Sequence, residues 1–261
     1  MTWSSTGYVI AAAKAARWTA VAFAISDLRR TRFAIGAAEA AGVPAIVEVT
    51  AEAAEPGGAI PYWVDEARVL AEAAHVPIAL HLAAPPSRGL MRRAAQAGFS
   101  SVRNLARGGG VEPDIGVIRR AAFWAHENGL LVEVRFGRIG SSGADAARPG
   151  VRGCGALAGP GLAARFVAST EIDLLSVGLG GPGAQPHGAV GIDPTFIARL
   201  CDALPVPLAL HGATTCPPTD LLGAEGCQGV VKVDIAATTE AECVRAYLPP
   251  WPEPSNSASA G

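Results

Sequence analysis

The chain has 261 residues, 50% of them hydrophobic and 17% charged, with a formal net charge of −2. Such a chain can bury a large core, which excludes a disordered or collagen-like protein. Its near-balanced charge gives no electrostatic footprint for nucleic acid or an anionic membrane. The predicted elements open with a helix over 5–17 and a strand AVAFAI at 20–25. A helix over 28–41 leads to strand AIVEVT at 45–50, and a helix over 62–74 to IALHL at 78–82. Helix 87–97 precedes SVRNL at 101–105, helix 114–128 precedes LLVEVRF at 130–136, and helix 160–169 precedes LLSVGL at 174–179. Helix 195–203 then leads to PLALH at 207–211, helix 219–225 to GVVKVDI at 229–235, and helix 239–248 follows. Short apolar runs, several rich in Val and Ile, are the pattern of buried parallel strands. Gly42-Val43-Pro44, Val76-Pro77, Gly98, Gly129 and Val206-Pro207 mark the turns back into strands.

Eight strands alternating with eight helices over about 250 residues is the arithmetic of an α/β (β/α)8 TIM barrel. The helix over 5–17 is an extra N-terminal element. An open doubly wound sheet is the alternative, and even spacing favours closure. No linker divides the chain, so a single domain is expected over 1–248, with a disordered Pro/Ser-rich tail at 249–261. Segment 138–159 is Gly-rich and long for a βα loop, the pattern of a lid or an unstructured loop. The five cysteines, Cys154, Cys201, Cys216, Cys227 and Cys243, are odd in number and form no CxxC pair. That argues against a disulfide framework or a four-cysteine zinc module. No leader pattern and no apolar run of about 18 residues is present, so a cytoplasmic protein without a membrane span is expected.

In such a barrel, chemistry sits at the C-terminal ends of the strands. Inward side chains recur at every second position. The polar residues at strand ends are Glu48, His81, Arg103, Asn104, Arg107, Glu133, Arg135, His211, Lys232 and Asp234. The following loops add Gly180-Gly181, His187, Gly212-Ala213-Thr214 and Ala236-Ala237.

Between 5–25 and 229–235 the chain resembles the class II ketose-bisphosphate aldolases, the zinc-dependent fructose- and tagatose-bisphosphate type. VPIALHL (76–82), AGFSSV (97–102), GLLVEV (129–134) with Gly137-Arg138, and VPLALHGA (206–213) carry the likeness. The resemblance implies the barrel fold and a zinc site. It also exposes departures. The family carries Asp-His after LHL, the Asp as acid/base and the His on zinc; here Ala83 and Ala84 stand there. Its Gly-Thr-Ser-His-Gly after strand six is replaced by 180–184, GGPGA. Its zinc His at the end of strand seven is present as His211. Its Asp-Gly-Ser after strand four becomes Leu105-Ala106-Arg107, and its Glu at the end of strand five becomes Arg135. Its Asn-Val-Asp-Thr after strand eight becomes Asp234-Ile235-Ala236-Ala237.

A catalytic zinc needs about three protein ligands. One His at its family position does not supply them, and the family's proton-transfer Asp has no evident successor. A working zinc aldolase of the family type is therefore not expected, and no cofactor is expected. A rebuilt metal site would need His187 in the strand-six loop, with His81, Cys216 or Glu48. Arg103, Arg107 and Arg135 bring fixed guanidinium charge, suited to carboxylate or phosphate. The competing reading pairs them with Glu48, Glu133 or Asp234. Arg103 is also compatible with an outward orientation. Lys232 faces the same way as Asp234, either as a structural pair or as a Schiff-base lysine. Gly180, Gly181, Gly212, Ala213, Thr214, Ala236 and Ala237 are the remnant of a backbone phosphate cradle, or ordinary turns.

The expected function is that of a metal-independent, lyase-type enzyme acting on a small anionic carbonyl metabolite. His211, Arg135 and Asp234 form its catalytic group. Glu48, Arg103, Arg107, Lys232 and the cradle residues bind substrate. The alternatives are a pseudoenzyme binding a metabolite or protein, and a zinc aldolase with relocated ligands. A homo-oligomer is expected on the resemblance.

Overall fold

The structure is a computed structural model and describes residues 3–15, 19–50, 53, 60–84, 87–104, 115–139, 159–179, 194–211, 229–236 and 239–245. Helix α1 (Thr6–Ala15) precedes β1 (Ala20–Ile25), α2 (Leu28–Ala41) and β2 (Ala45–Val49). Then come α3 (Val64–Ala73), β3 (Ile78–Ala84), α4 (Arg88–Gln96), β4 (Ser101–Asn104), α5 (Ile115–His126) and β5 (Leu131–Ile139). The chain continues through α6 (Pro160–Thr170), β6 (Leu174–Leu179), α7 (Pro194–Ala203), β7 (Leu208–His211), β8 (Val230–Ile235) and α8 (Glu240–Arg245). All eight strands are parallel and close in sequence order, with β8 returning to β1 through Ala20 opposite Lys232. The predicted helix over 219–225 and the tail 249–261 lie outside the described residues. So does segment 138–159, apart from Arg138 and Ile139, which extend β5 past its expected end at 136, and Gly159. Among the described residues no helix is long and apolar enough to cross a membrane.

Alternation sorts the strand residues. One set, such as Val21, Phe23, Val47, Leu80, Val132 and Leu210, is buried beneath the helices in one continuous core. The helices meet it with small residues, including Ala34, Ala38, Ala67, Ala71 and Ala122. The other set faces the barrel axis. In many barrels that space is filled by branched aliphatics. Here Ala20, Ala22, Ala79, Ala83 and Ala209 leave room, and charged side chains take it.

The end of the barrel where the strands begin is closed by α1. Val9 and Ala13 pack on Ala20, Ala22, Ile46 and Ala79. The segment before α1 is tied down too. Trp3 bridges to Ile78, and the Ser4 amide donates to the Ile78 carbonyl at 2.9 Å. Gly98, between α4 and β4, has φ +90° and lies against the Trp3 indole, 2.6 Å from where a Cβ would stand. Both constraints forbid a side chain. Gly98→Ala is expected to destabilise the fold by about 1–3 kcal/mol, read as a lower midpoint in denaturant unfolding. An unchanged midpoint would mean that the Trp3 anchor is not formed.

Candidate active site

Five charged side chains from four strands meet inside the barrel, and their contacts cross it. Arg103 on β4 donates through Nη2 to Glu48 Oε1 (2.6 Å) on β2, and through Nη1 to Glu48 Oε2 (2.9 Å). The same Nη1 reaches Asp234 Oδ2 (2.5 Å) on β8. Lys232, two residues before Asp234, donates from Nζ to Glu133 Oε2 on β5 at 2.6 Å. Its Nζ also lies 2.6 Å from Asp234 Oδ1, an ion pair angled outside a hydrogen bond. Strands β4, β5 and β8 are not all neighbours, so these distances place the groups on the axis. Lys232 and Glu48 are completely buried, and Glu133, Asp234 and Arg103 nearly so.

His211 ends β7 at the mouth, with a quarter of its side chain exposed. Its Nδ1 lies 3.2 Å from Asp234 Oδ2 and 3.1 Å from Arg103 Nη1. Nη1 has two hydrogens, and Glu48 and Asp234 take both. The consistent tautomer carries the proton on Nδ1 and donates it to Asp234, leaving Nε2 as a base. Toward the closed end lies His81 on β3. Its Nδ1 is 2.7 Å from Ser101 Oγ, which is 2.6 Å from the Thr6 hydroxyl of α1. Its Nε2 faces Glu48 Oε2 at 3.6 Å and Glu133 Oε2 at 3.8 Å, so the hydrogen belongs on Nε2.

The cluster sets the protonation of its members. Burial opposes ionisation of Asp234, but Lys232 and Arg103 outweigh it and hold its carboxyl far below the usual range. Burial also opposes the charge on Lys232, yet Asp234, Glu133 and Glu48 raise its pKa above the ordinary lysine value. Burial, then the nearby Asp234, pushes Glu48 upward. Burial, reinforced by Lys232 and Arg103, holds His81 well below an ordinary imidazole, so it is neutral at pH 7.

The structure therefore gathers Glu48, Arg103, His211, Lys232 and Asp234, all expected from the sequence. Arg103 points inward, not outward, and takes the ion-paired arrangement. A Schiff-base lysine needs a depressed pKa; Lys232 has a raised one and is locked between carboxylates. Arg135 is exposed, opposite Ser176 in the ladder and on the same strand face as Glu133, one step nearer the mouth. Ala236 is exposed just past β8. Arg107, Gly180, Gly181, Gly212, Ala213, Thr214 and Ala237 lie outside the described residues, as do His187 and Cys216. Sequence reading missed Ser101, Ser176 and Thr6. Alternation from Arg103 points to Ser101; nothing in the sequence ties Thr6 to the barrel axis.

In a closed parallel (β/α)8 barrel the C-terminal ends of the strands are where ligand-facing groups are placed, and His211 and Asp234 stand at that end. A sequence model described as Fructose-bisphosphate aldolase class-II matches residues 4–258. The chain belongs to the class II fructose-bisphosphate aldolase family. It is 29% identical over 197 residues to a fructose-bisphosphate aldolase of Geobacillus stearothermophilus, covering 75% of this chain and 67% of that protein. It is 31% identical over 175 residues to the D-tagatose-1,6-bisphosphate aldolase subunit GatY of Klebsiella oxytoca, covering 65% of this chain and 59% of that protein. The fold is similar to the YdjI aldolase of Escherichia coli K12, with TM-score 0.67 and 22% identity over 89% of this chain and 81% of that one. It is equally similar to a Campylobacter jejuni fructose-bisphosphate aldolase, with TM-score 0.67 and 19% identity over 88% and 75%.

The described residues do not fit the zinc ion that this family implies. The His211 nitrogen turned toward the axis carries a proton given to Asp234 and stands beside a guanidinium, so it offers no lone pair to a cation there. Ala84 ends β3 where the resemblance sets a zinc-binding His, and an alanine has no donor atom for a metal. Among the described residues no three of His, Cys, Asp and Glu are grouped to hold a metal.

Lys232→Met is expected to cost about 3–5 kcal/mol in denaturant unfolding, because two buried carboxylates lose their cation. Adding Glu133→Leu should recover part of that loss; no recovery would contradict the pairing. The lowered pKa of His81 gives a second expectation. Below about pH 6.5 the unfolded chain takes up a proton that the fold refuses. Its stability contribution is complete above that pH and declines on acidification toward the folded pKa. Relative to His81→Gln, wild type should lose up to about 1.4 kcal/mol per pH unit between the two pKa values. The opposite drift from Glu48 is common to both proteins and drops out of the difference. Parallel curves would show that His81 is not buried neutral.

Proposed function

We propose that this chain is a diverged class II aldolase-type enzyme that works without the family zinc, a lyase acting on a small phosphorylated or carboxylated carbonyl compound. The observation that carries this reading is the half-exposed His211 backed by buried Asp234. In that pair Nδ1–H is held by a carboxylate and Nε2 is free to take a proton, the arrangement of a general base with its orienting partner. In cleavage, Nε2 removes the proton of a hydroxyl carried by the far carbon of the bond to be broken, β to the substrate carbonyl. The O–H electrons form the new carbonyl, and the carbon–carbon pair moves into the neighbouring carbonyl as an enolate. Arg135 at the mouth neutralises the enolate oxygen or the substrate anion. The imidazolium, stabilised by Asp234, returns the proton to carbon. Arg103 positions this pair, because its guanidinium fixes Asp234 and stands beside His211.

One observation favours a second reading. Ala83 fills the place where the family resemblance sets the proton-transfer Asp, and the buried charges are largely satisfied by one another. A protein that binds the metabolite without turning it over would need no more.

The test is turnover with phosphorylated ketoses and small keto acids, preselected by thermal shift, in the presence of a strong chelator. Wild type is expected to release a carbonyl product with a rate the chelator does not change. His211→Ala should lower kcat about 10²–10⁴-fold, with Asp234→Asn also impaired. Binding without turnover, equal in wild type and His211→Ala, would establish the second reading. Turnover abolished by the chelator and restored by zinc would overturn both.

A further inference from the structure

Arg103 Nη1 has an unusual set of neighbours. Glu48 Oε2 from β2 lies at 2.9 Å, Asp234 Oδ2 from β8 at 2.5 Å and His211 Nδ1 from β7 at 3.1 Å. Glu133 Oε1 from β5 follows at 3.8 Å and has no hydrogen-bond partner of its own. Three of these are oxygen anions and the fourth is an imidazole nitrogen, from four different strands. A nitrogen with two hydrogens cannot satisfy them all. Carboxylate and imidazole around one point are the donor set of a borderline divalent cation.

We propose that Nη1 of Arg103 occupies a cation seat, so that the guanidinium is a built-in, non-exchangeable substitute for a dication, and that shortening this side chain uncovers a divalent-metal site made by Glu48, Asp234 and His211. The proposal does not depend on whether the centre turns over a substrate, and its readout is metal binding rather than activity.

Three features support it. The first is how the carboxylates divide their oxygens. Asp234 gives Oδ1 to Lys232 and turns Oδ2 to the seat; Glu48 gives Oε1 to Nη2 and turns Oε2 to the seat. Lys232 Nζ stands 3.6 Å from Glu48 Oε2, beyond hydrogen-bond reach, so it competes only weakly for the two oxygens a metal would use most directly. The second is charge. Without Arg103, Glu48, Glu133 and Asp234 face Lys232 alone, which leaves two negative charges, the number a divalent cation cancels. The third is distance. Zinc–oxygen and zinc–nitrogen bonds are about 2.0–2.2 Å, so each ligand must close by less than about 1 Å, within the reach of side-chain adjustment.

The experiment is Co²⁺ titration of wild type and Arg103→Ala, followed by visible absorption and thermal shift. Arg103→Ala is expected to bind one Co²⁺ per chain with a ligand-field band and a raised Tm, and wild type to show neither. Adding His211→Ala or Asp234→Asn should weaken that binding at least tenfold and alter the band. If Arg103→Ala is unfolded without metal, Co²⁺ should restore folding where Mg²⁺ and NaCl do not, as in proteins whose metal binding is coupled to folding. A folded Arg103→Ala that takes no Co²⁺, an unfolded one that Co²⁺ does not rescue, a band indifferent to His211→Ala, or wild type binding Co²⁺ through His211 would each overturn the proposal.

Discussion

Two cations and three carboxylates share the axis of this barrel, out of contact with water. Taking such groups from water costs several kcal/mol each, and only close mutual geometry offsets it. Much of the surrounding sequence follows from that constraint. The alanines of β1 and β3 keep the axis open where branched residues would collide with Lys232 and Arg103. Most of the aliphatic core is on the opposite strand faces, under alanine-rich helices, while Ile46 packs inside against α1. Stability is made outside the barrel wall, and the interior is left to electrostatics.

The same network explains how a residue at the mouth acquires its character. His211 is only half-buried, yet its tautomer is decided by atoms behind it. Both hydrogens of Arg103 Nη1 go to carboxylates, so the imidazole must donate to Asp234 and present its other nitrogen outward. A guanidinium does this differently from a metal ion. It occupies the inner face of the ring permanently, is not lost to chelation, and offers no open coordination position to a substrate oxygen. In the proposed reaction, charge stabilisation would then rest on cations at the rim such as Arg135.

Much of this was legible in the sequence because strands declare themselves twice, by composition and by alternation. The two-residue spacing of Lys232 and Asp234 put both on one strand face, and Glu48, Glu133 and His211 stood out as polar residues at strand ends once the barrel was inferred. Whether Arg103 points in or out was not legible: β4 is four residues long, too short for alternation to be decisive, and the answer depends on Glu48 and Asp234 from distant strands. Lys232 shows the same limit. Asp234, two positions away, favours its charge most, but the burial that opposes it and the further support of Glu133, 99 positions away, come from the fold. The hydroxyl of Thr6 carried no signal, since a threonine near a helix start reads first as a capping residue.

That threonine changes what α1 is. The helix stops the barrel like a bung, and its hydroxyl also enters a line of hydrogen bonds through Ser101 to His81, whose Nε2 faces the carboxylates of the charged centre. The barrel is thus a polar shaft, sealed by α1 at one end and carrying His211 toward the other. Loosening α1 would do more than subtract a helix. It would admit water from below into a space whose ion pairs depend on its absence, weakening a site at the far end without touching any residue there.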